Sequence, residues 1–359
     1  MKKLEFFFKN LFLNLLLLIN SKRKNAGYDF ENDSNRILFI RLNRIGDALV
    51  ATPLLHEIKK NLRSKIYVLA DKKNFVAFNN NPDIDKLLIF NKGLKGFFEF
   101  KKFVESENIQ TVVDLHDDIS ATVSFLIALC NAKNKFGLEK DNKKIYTQTV
   151  KKLDGTKYHV VDRILEIAKL FKIEKEKEPV NIHYTPDYNS VQKVKEYLHN
   201  KFPVKKMLIG INISAGSMAR FWGISNYKKL LNYFTHYDAN CLLICSPKDS
   251  GLAKEICGNT YNYFSSDNYD EFAAMISKLD LLFTPDTAAV HLASAFEVPV
   301  FGIYVKYKTY DMIWSPYKSK FDCVITEEPN LGNVTFEEVK AKLNSFLENF
   351  NFSSVNDSR

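Results

Sequence analysis

The chain has 359 residues, 46% hydrophobic and 26% charged, the balance of an ordinary globular protein and not of a disordered or fibrous one; two domains with separate cores are expected at this length. Lysine and arginine number 51 against 42 aspartates and glutamates, a formal net charge of +9, which favours anionic partners such as nucleotide sugars, phosphorylated lipids or a membrane surface. Neither a zinc-type cysteine pattern nor an RNA- or DNA-reading motif accompanies that charge, so nucleic acid is not the expected partner, and five cysteines fit reduced, buried thiols of a cytosolic protein.

The first apolar stretch, residues 4–19, is interrupted by Glu5, Lys9, Asn10 and Asn14 at roughly helical spacing. It falls short of the ~20 apolar residues that span a bilayer. No small-residue cleavage site follows, so a secretory signal is not expected either. With Lys2 and Lys3 before it and Ser21-Lys22-Arg23-Lys24 after it, it reads as an amphipathic helix lying on an anionic membrane surface, with packing on the protein itself as the alternative. That helix and a polar linker make up residues 1–35.

Residues 36–60, RILFIRLNRIGDALVATPLLHEIKK, open the first domain. Ile37 to Ile40 predict a buried strand that runs through a short polar turn into a helix. Ligands of parallel α/β sheets sit outside the carboxyl ends of the strands, which places Arg41, Asn43, Arg44, Gly46 and Asp47 at such a site. Asp47 at a helix start is either a cap or a carboxylate kept ionised for general base work. Pro53 allows one kinked helix or a second helix beginning with Thr52 as cap.

Further strands are expected at 66–70, 87–90 and 111–115, separated by helix-length spacers, the alternation of a parallel sheet. Asp83-Ile84-Asp85 sits in a turn context after Asn79 to Pro82 and is rejected as a metal site. The strand at 111–115 ends in His116-Asp117-Asp118, read as lining an acceptor site, with helix capping as the alternative. Residues 160–171 predict a helix. The KEKE-rich, proline-containing stretch 173–187 is the domain crossover, which sets the first domain at 36–180 and the second at 181–352, with a loose tail at 353–359.

In the second domain, strands are expected at 207–213, 241–245, 281–284 and 298–304, with a closing helix at 336–350. The stretch LLFTPDTAAVHLASAFEVPVFGIY, residues 281–304, takes Thr284 as cap and Pro285 as first helical residue. Amides near Asp286, Thr287 and Ala288 would then point out of a helix start, suited to a diphosphate. His291 lies four residues past Thr287, on the same helix face.

Three motifs, IRLNRIGDALVATPLL, SAGSMARFWGISNYKKLL and TPDTAAVHLASAFEVPVFGIY, together resemble glycosyltransferase family 9, the heptosyltransferases of lipopolysaccharide inner-core synthesis. The resemblance implies a GT-B architecture: two Rossmann-like parallel-sheet α/β domains facing a central cleft, acceptor on the first and nucleotide-sugar donor on the second. It implies that Asp47 is the base that deprotonates an acceptor hydroxyl for inverting attack. It also implies that Asp286 helps hold the donor sugar, that Thr287, Ala288 and His291 hold the diphosphate, and that Ser214, Ser217 and Arg220 lie in the donor loop. The family commonly has lysine shortly before Trp-Pro, whereas Arg220 here precedes Phe221-Trp222-Gly223, which leaves donor geometry and identity open.

The expected protein is thus a metal-independent inverting glycosyltransferase with no cofactor. It would transfer heptose from ADP-heptose to a lipid-linked core oligosaccharide of lipopolysaccharide or lipooligosaccharide, from the cytoplasm, peripherally bound to the inner face of the cytoplasmic membrane. A family member using another nucleotide sugar for a different surface glycan and a non-catalytic nucleotide-sugar-binding module are the alternatives. A nicotinamide oxidoreductase or P-loop enzyme would need glycine motifs that the chain lacks.

Overall fold

The computed structural model describes residues 35–174 and 180–348. The expected N-terminal helix, most of its linker, part of the crossover and the tail lie outside the described residues. The chain divides into two compact units between His183 and Tyr184.

The first unit is built on strand β1 (Arg36–Arg41), whose Ile37, Leu38, Phe39 and Ile40 are all fully buried. A strand apolar on both faces needs cover on both, which is the setting of a parallel sheet. Five further strands join it: β2 (Lys65–Asp71), β3 (Lys86–Phe90), β4 (Thr111–Asp114), β5 (Asn134–Leu138) and β6 (Gln148–Val150). Their order is β3-β2-β1-β4-β5-β6, and every neighbouring pair is parallel. Between β1 and β4 the order reverses, and there a crevice forms at the strands' carboxyl ends.

Two short helices follow β1, α1 (Ile45–Leu49) and α2 (Thr52–Asn61). Pro53 therefore belongs to a separate helix, and Ala51, not Thr52, is the residue at its cap position. Helices α3 (Leu94–Ser106) and α4 (Ala121–Leu129) cover one sheet face. On that face Leu38, Ile40 and Leu42 cluster with Phe100 and Val104 of α3 and Val123, Leu126 and Ile127 of α4. The helix expected at 160–171 is α5 (Val160–Leu165), which tightens into a 3-10 turn over Glu166–Phe171.

In the second unit, α6 (Tyr188–Lys201) leads into β7 (Met207–Asn212), α7 (Ile224–Phe234), β8 (Ala239–Cys245), α8 (Ser250–Cys257), β9 (Asn262–Ser265), α9 (Tyr269–Ile276), β10 (Leu281–Pro285), α10 (Ala288–Ala295), β11 (Val300–Val305), β12 (Phe321–Thr326) and the closing α11 (Phe336–Glu348). The sheet order is β12-β11-β10-β7-β8-β9, again parallel throughout. Counted from its own first strand this repeats the order of the first unit, with the reversal between β7 and β10. Ile209, Ile211, Phe283 and Phe301 form a core with Trp222, Tyr227 and, from α11, Val339, Leu343 and Phe346. Trp222 donates its indole N–H to the Val334 carbonyl at 2.8 Å, which ties the α7 lead-in to the segment before α11.

Four strands, β5, β6, β9 and β12, were not among the expected ones. Three of them have three to five residues and polar content, too little to show a period. The fourth, β12, is an edge strand whose first residue and Ile325 are exposed.

Candidate functional site

At the reversal point of the first unit, β1 ends in Arg41 and the chain turns through Asn43, held at a φ of +150°, a backbone region that L-residues seldom occupy. Asp47 lies in the first turn of α1. Arg41 is 1% exposed, and its guanidinium donates from all three nitrogens. Nε bonds the Asp47 carbonyl at 2.8 Å, one terminal nitrogen bonds Asp47 Oδ1 at 2.9 Å, and the other bonds the Leu115 carbonyl. Burial pulls the guanidinium below its ordinary pKa, and the charges of Asp47 and Asp114 pull it back up. Asp47 keeps 18% of its side chain exposed, and its Oδ2 has no hydrogen-bond partner among the described residues.

At the end of β4, Asp114 is fully buried and accepts from Lys140 Nζ at 2.8 Å, Tyr146 Oη at 2.6 Å and the His116 amide at 2.9 Å. Burial opposes its charge, but Lys140 and His116 outweigh that penalty and hold its carboxyl well below the usual range. His116 is buried, with Nδ1 2.7 Å from Asp114 Oδ1 and Nε2 2.6 Å from the Leu42 carbonyl. Asp117 is buried against Arg163 at 3.0 Å and Lys152 at 3.3 Å.

Three residues read from the sequence as acceptor-facing, Arg41, His116 and Asp117, are thus turned inward. The reason lies in partners brought together by the fold: each finds opposite charge or a carbonyl inside it, and a buried polar group with partners has no cause to face solvent. Asn43 and Arg44 are exposed and Gly46 is half-buried beside Asp47. The aspartates of Asp83-Ile84-Asp85 are engaged separately, Asp83 with His56 and Asp85 with Lys59 and the Ile66 amide.

The reversal point of the second unit is open. A cavity of about 260 Å³ lies at the ends of β7, β8 and β10, lined among others by Ser214, Ala215, Gly216, Lys248, Thr287 and Ala288. Its floor is wired by Asn212, which donates to Thr284 Oγ1 at 2.9 Å and Thr287 Oγ1 at 3.2 Å. Ser214 donates to Asp249 and accepts from the Ser246 amide at 2.7 Å.

Arg220 and Asp286 meet at 3.0 Å, and the same guanidinium donates to the Asp286 carbonyl at 3.1 Å. Both side chains stay partly exposed, so the pair is accessible. Ser217 is exposed at the start of the Met218–Arg220 turn and is not part of the cavity lining. His291, in α10, is 3% exposed with its ring centroid 6.0 Å from that of Trp314.

The helix start differs from expectation by three residues. Pro285 ends β10, Thr287 is the cap of α10, and its hydroxyl accepts from the Ala289 amide. Thr284 cannot cap because its hydroxyl is spent on the Pro285 carbonyl and Asn212, while the Asp286 amide extends the sheet ladder to Ile303. Thr287 and Ala288 reach the cavity all the same.

Sequence reading missed Ser246, Lys248, Tyr269 and Phe272, which also line the cavity. The first two follow the apolar strand β8 directly, so the carboxyl-end rule could have found them. Tyr269 and Phe272 follow β9, which gave no strand signal.

Residues 97–343 match the sequence model of glycosyltransferase family 9 (heptosyltransferase). The chain belongs to that family. This family 9 glycosyltransferase is 24% identical over 295 residues to lipopolysaccharide heptosyltransferase 3 of Escherichia coli K12, covering 76% of this chain and 82% of the relative. It is 20% identical over 311 residues to the lipopolysaccharide core heptosyltransferase OpsX of Haemophilus influenzae, covering 84% and 87%. Among solved structures, a glycosyl transferase family 9 protein of Veillonella parvula superposes with a TM-score of 0.78 at 18% identity, over 90% of this chain and all of that one. Escherichia coli ADP-heptose lps heptosyltransferase II superposes with a TM-score of 0.68 at 16% identity, over 88% and 99%. These likenesses establish the shared GT-B fold class.

Proposed function

We propose that the protein transfers heptose from ADP-heptose, with inversion, to a core oligosaccharide acceptor of lipopolysaccharide or lipooligosaccharide. The observation that carries the reading is the open cavity at the second unit's reversal point, adjoined through Thr287 by the Arg220–Asp286 pair. It offers a mostly apolar lining of small residues with Tyr269 and Phe272 for a nucleotide, with amides at the start of α10 and a guanidinium beside it for the diphosphate and a carboxylate for sugar hydroxyls. The relatives named as lipopolysaccharide heptosyltransferases support the choice of sugar and acceptor.

In this reading Asp47 takes the proton from the acceptor hydroxyl as its oxygen bonds the anomeric carbon. The bond from that carbon to the diphosphate breaks, and the electron pair leaves on the nucleoside diphosphate. Arg220 and the α10 amides stabilise the departing charge, which makes a metal unnecessary. Asn43, Arg44 and Gly46 remain the acceptor-side candidates. The sequence of residues 4–19 and the net charge of +9 support peripheral attachment to an anionic inner-membrane face. Among the described residues no helix is long and apolar enough to cross a membrane.

Calorimetric titration without divalent metal tests the donor half, using ADP, UDP, GDP and ADP-heptose in turn. Selective ADP-heptose binding is expected. Preference for UDP or GDP would leave the glycosyltransferase reading standing but remove heptose, and Arg220 in place of the family's usual lysine makes that the second reading to test.

A further inference from the structure

We infer that Arg41 is a positioning residue for the base: it fixes the Asp47 carboxylate by one oxygen and leaves the other for the acceptor hydroxyl. The inference rests on the assignment of Asp47 as base and goes beyond it by assigning a buried side chain that never meets the substrate.

Three observations carry it. The Arg41 guanidinium grips Asp47 twice, at its carboxylate and at its main-chain carbonyl, and is itself anchored through its third nitrogen to the Leu115 carbonyl at the end of the neighbouring β4. Holding a residue by main chain and side chain at once fixes both its backbone and its side-chain torsion. The bond at Oδ1 leaves Oδ2 unbonded among the described residues, on a side chain that is 18% exposed beside an arginine that is 1% exposed. Finally, Arg41 feels the charges of Asp114 and Asp117 as well, yet Asp114 bonds Lys140, His116 and Tyr146 while Asp117 bonds Arg163 and Lys152. Arg41 is therefore not needed to neutralise that cluster.

Lysine could keep the charge but not the planar fork that reaches three acceptors. The expected consequence of losing the fork is a misaimed base. A displacement of about 1 Å can cost about a hundredfold in rate without weakening substrate binding.

The test is a double-mutant cycle on the full chain with Arg41→Lys and Asp47→Asn, measuring single-turnover transfer, donor affinity, acceptor KM and melting temperature. The variant R41K should lose about 10- to 100-fold in kcat, with donor affinity and acceptor KM nearly unchanged, and should cause no further loss when added to D47N. A merely structural arginine would lower transfer by the same factor in both backgrounds, which would overturn the proposal, as would wild-type kcat in R41K. Asp47→Glu covers the case in which R41K does not fold: it keeps Arg41 and the charge but moves the carboxylate by one methylene. Low kcat in D47E supports the positional requirement, and wild-type kcat overturns it. Undiminished turnover in D47N would remove the base assignment itself, whereas an inactive D47N beside a fully active R41K would remove only the role of Arg41.

Discussion

The two units share one strand order and differ in what fills the crevice where that order reverses. In the first, buried charges are matched in separate groups, Arg41 with Asp47, Asp114 with His116 and Lys140, and Asp117 with Arg163, and Asp47 is the partly exposed carboxylate among them, held by one oxygen. In the second, the corresponding strand ends carry serine, alanine and glycine around a cavity of about 260 Å³, with one accessible ion pair beside it. Topology supplies the crevice in both cases, and side-chain size and charge decide whether it becomes a rigid mount or a room.

The sharpest way to break that contrast is to remove the charge of Asp47 from the filled crevice. Asp47→Asn keeps an amide oxygen for Arg41 and should cut transfer by about 10²- to 10⁴-fold while leaving the donor affinity of the second unit unchanged; single-turnover assay and calorimetry read the two separately. Unaltered turnover would take the base role from Asp47.

Next in size is the mount itself. Asp114→Asn leaves the buried Lys140 ammonium without its countercharge and should destabilise the fold by about 3–5 kcal/mol. The folded Asp114 carboxyl titrates below the ordinary value of 3.8, so its stabilisation is complete above that pH and drains away as pH falls through the folded value. Melting temperature followed below about pH 4 should therefore fall less steeply in D114N than in the native chain. Parallel profiles would mean that this charge is not what the crevice rests on.

Much of this was legible in the sequence where local chemistry decides. The apolar run at Ile37 to Ile40 and the Thr-Pro-Asp-Thr stretch before α10 carry their own strand and turn signals, and both lead to the reversal points. What stayed hidden depends on partners distant in sequence. A polar residue after a strand shows where the chain leaves the sheet but not which way its side chain turns. Lys140 and Tyr146, 26 and 32 residues beyond Asp114, set the buried network that claims His116. Tyr269 and Phe272 were invisible for the same kind of reason: they are placed by β9, a strand of four residues that exists because β8 offers it an edge.

The open crevice should respond in binding where the filled one responds in stability. Arg220→Ala removes a partly exposed fork and should weaken nucleotide-sugar binding by about 10- to 100-fold with little change in melting temperature, because the partner Asp286 can rehydrate. Equal donor affinity in variant and native protein would return the pair to a structural role.

Thr287 lies on the boundary between these two kinds of response, and the expected effect is the smallest. Its hydroxyl caps α10 through the Ala289 amide, accepts from Asn212 and lines the cavity. Thr287→Ala should cost about 0.5–2 kcal/mol as a lost cap and weaken donor binding only severalfold, because the helix amides that would meet the diphosphate remain. Thr287→Ser keeps the oxygen and gives up only a methyl group. It should restore the melting temperature and the donor affinity together if the hydroxyl orders the amides for the ligand. Restored melting without restored affinity would mean that the methyl wall of the cavity, and not the cap, is what the nucleotide senses.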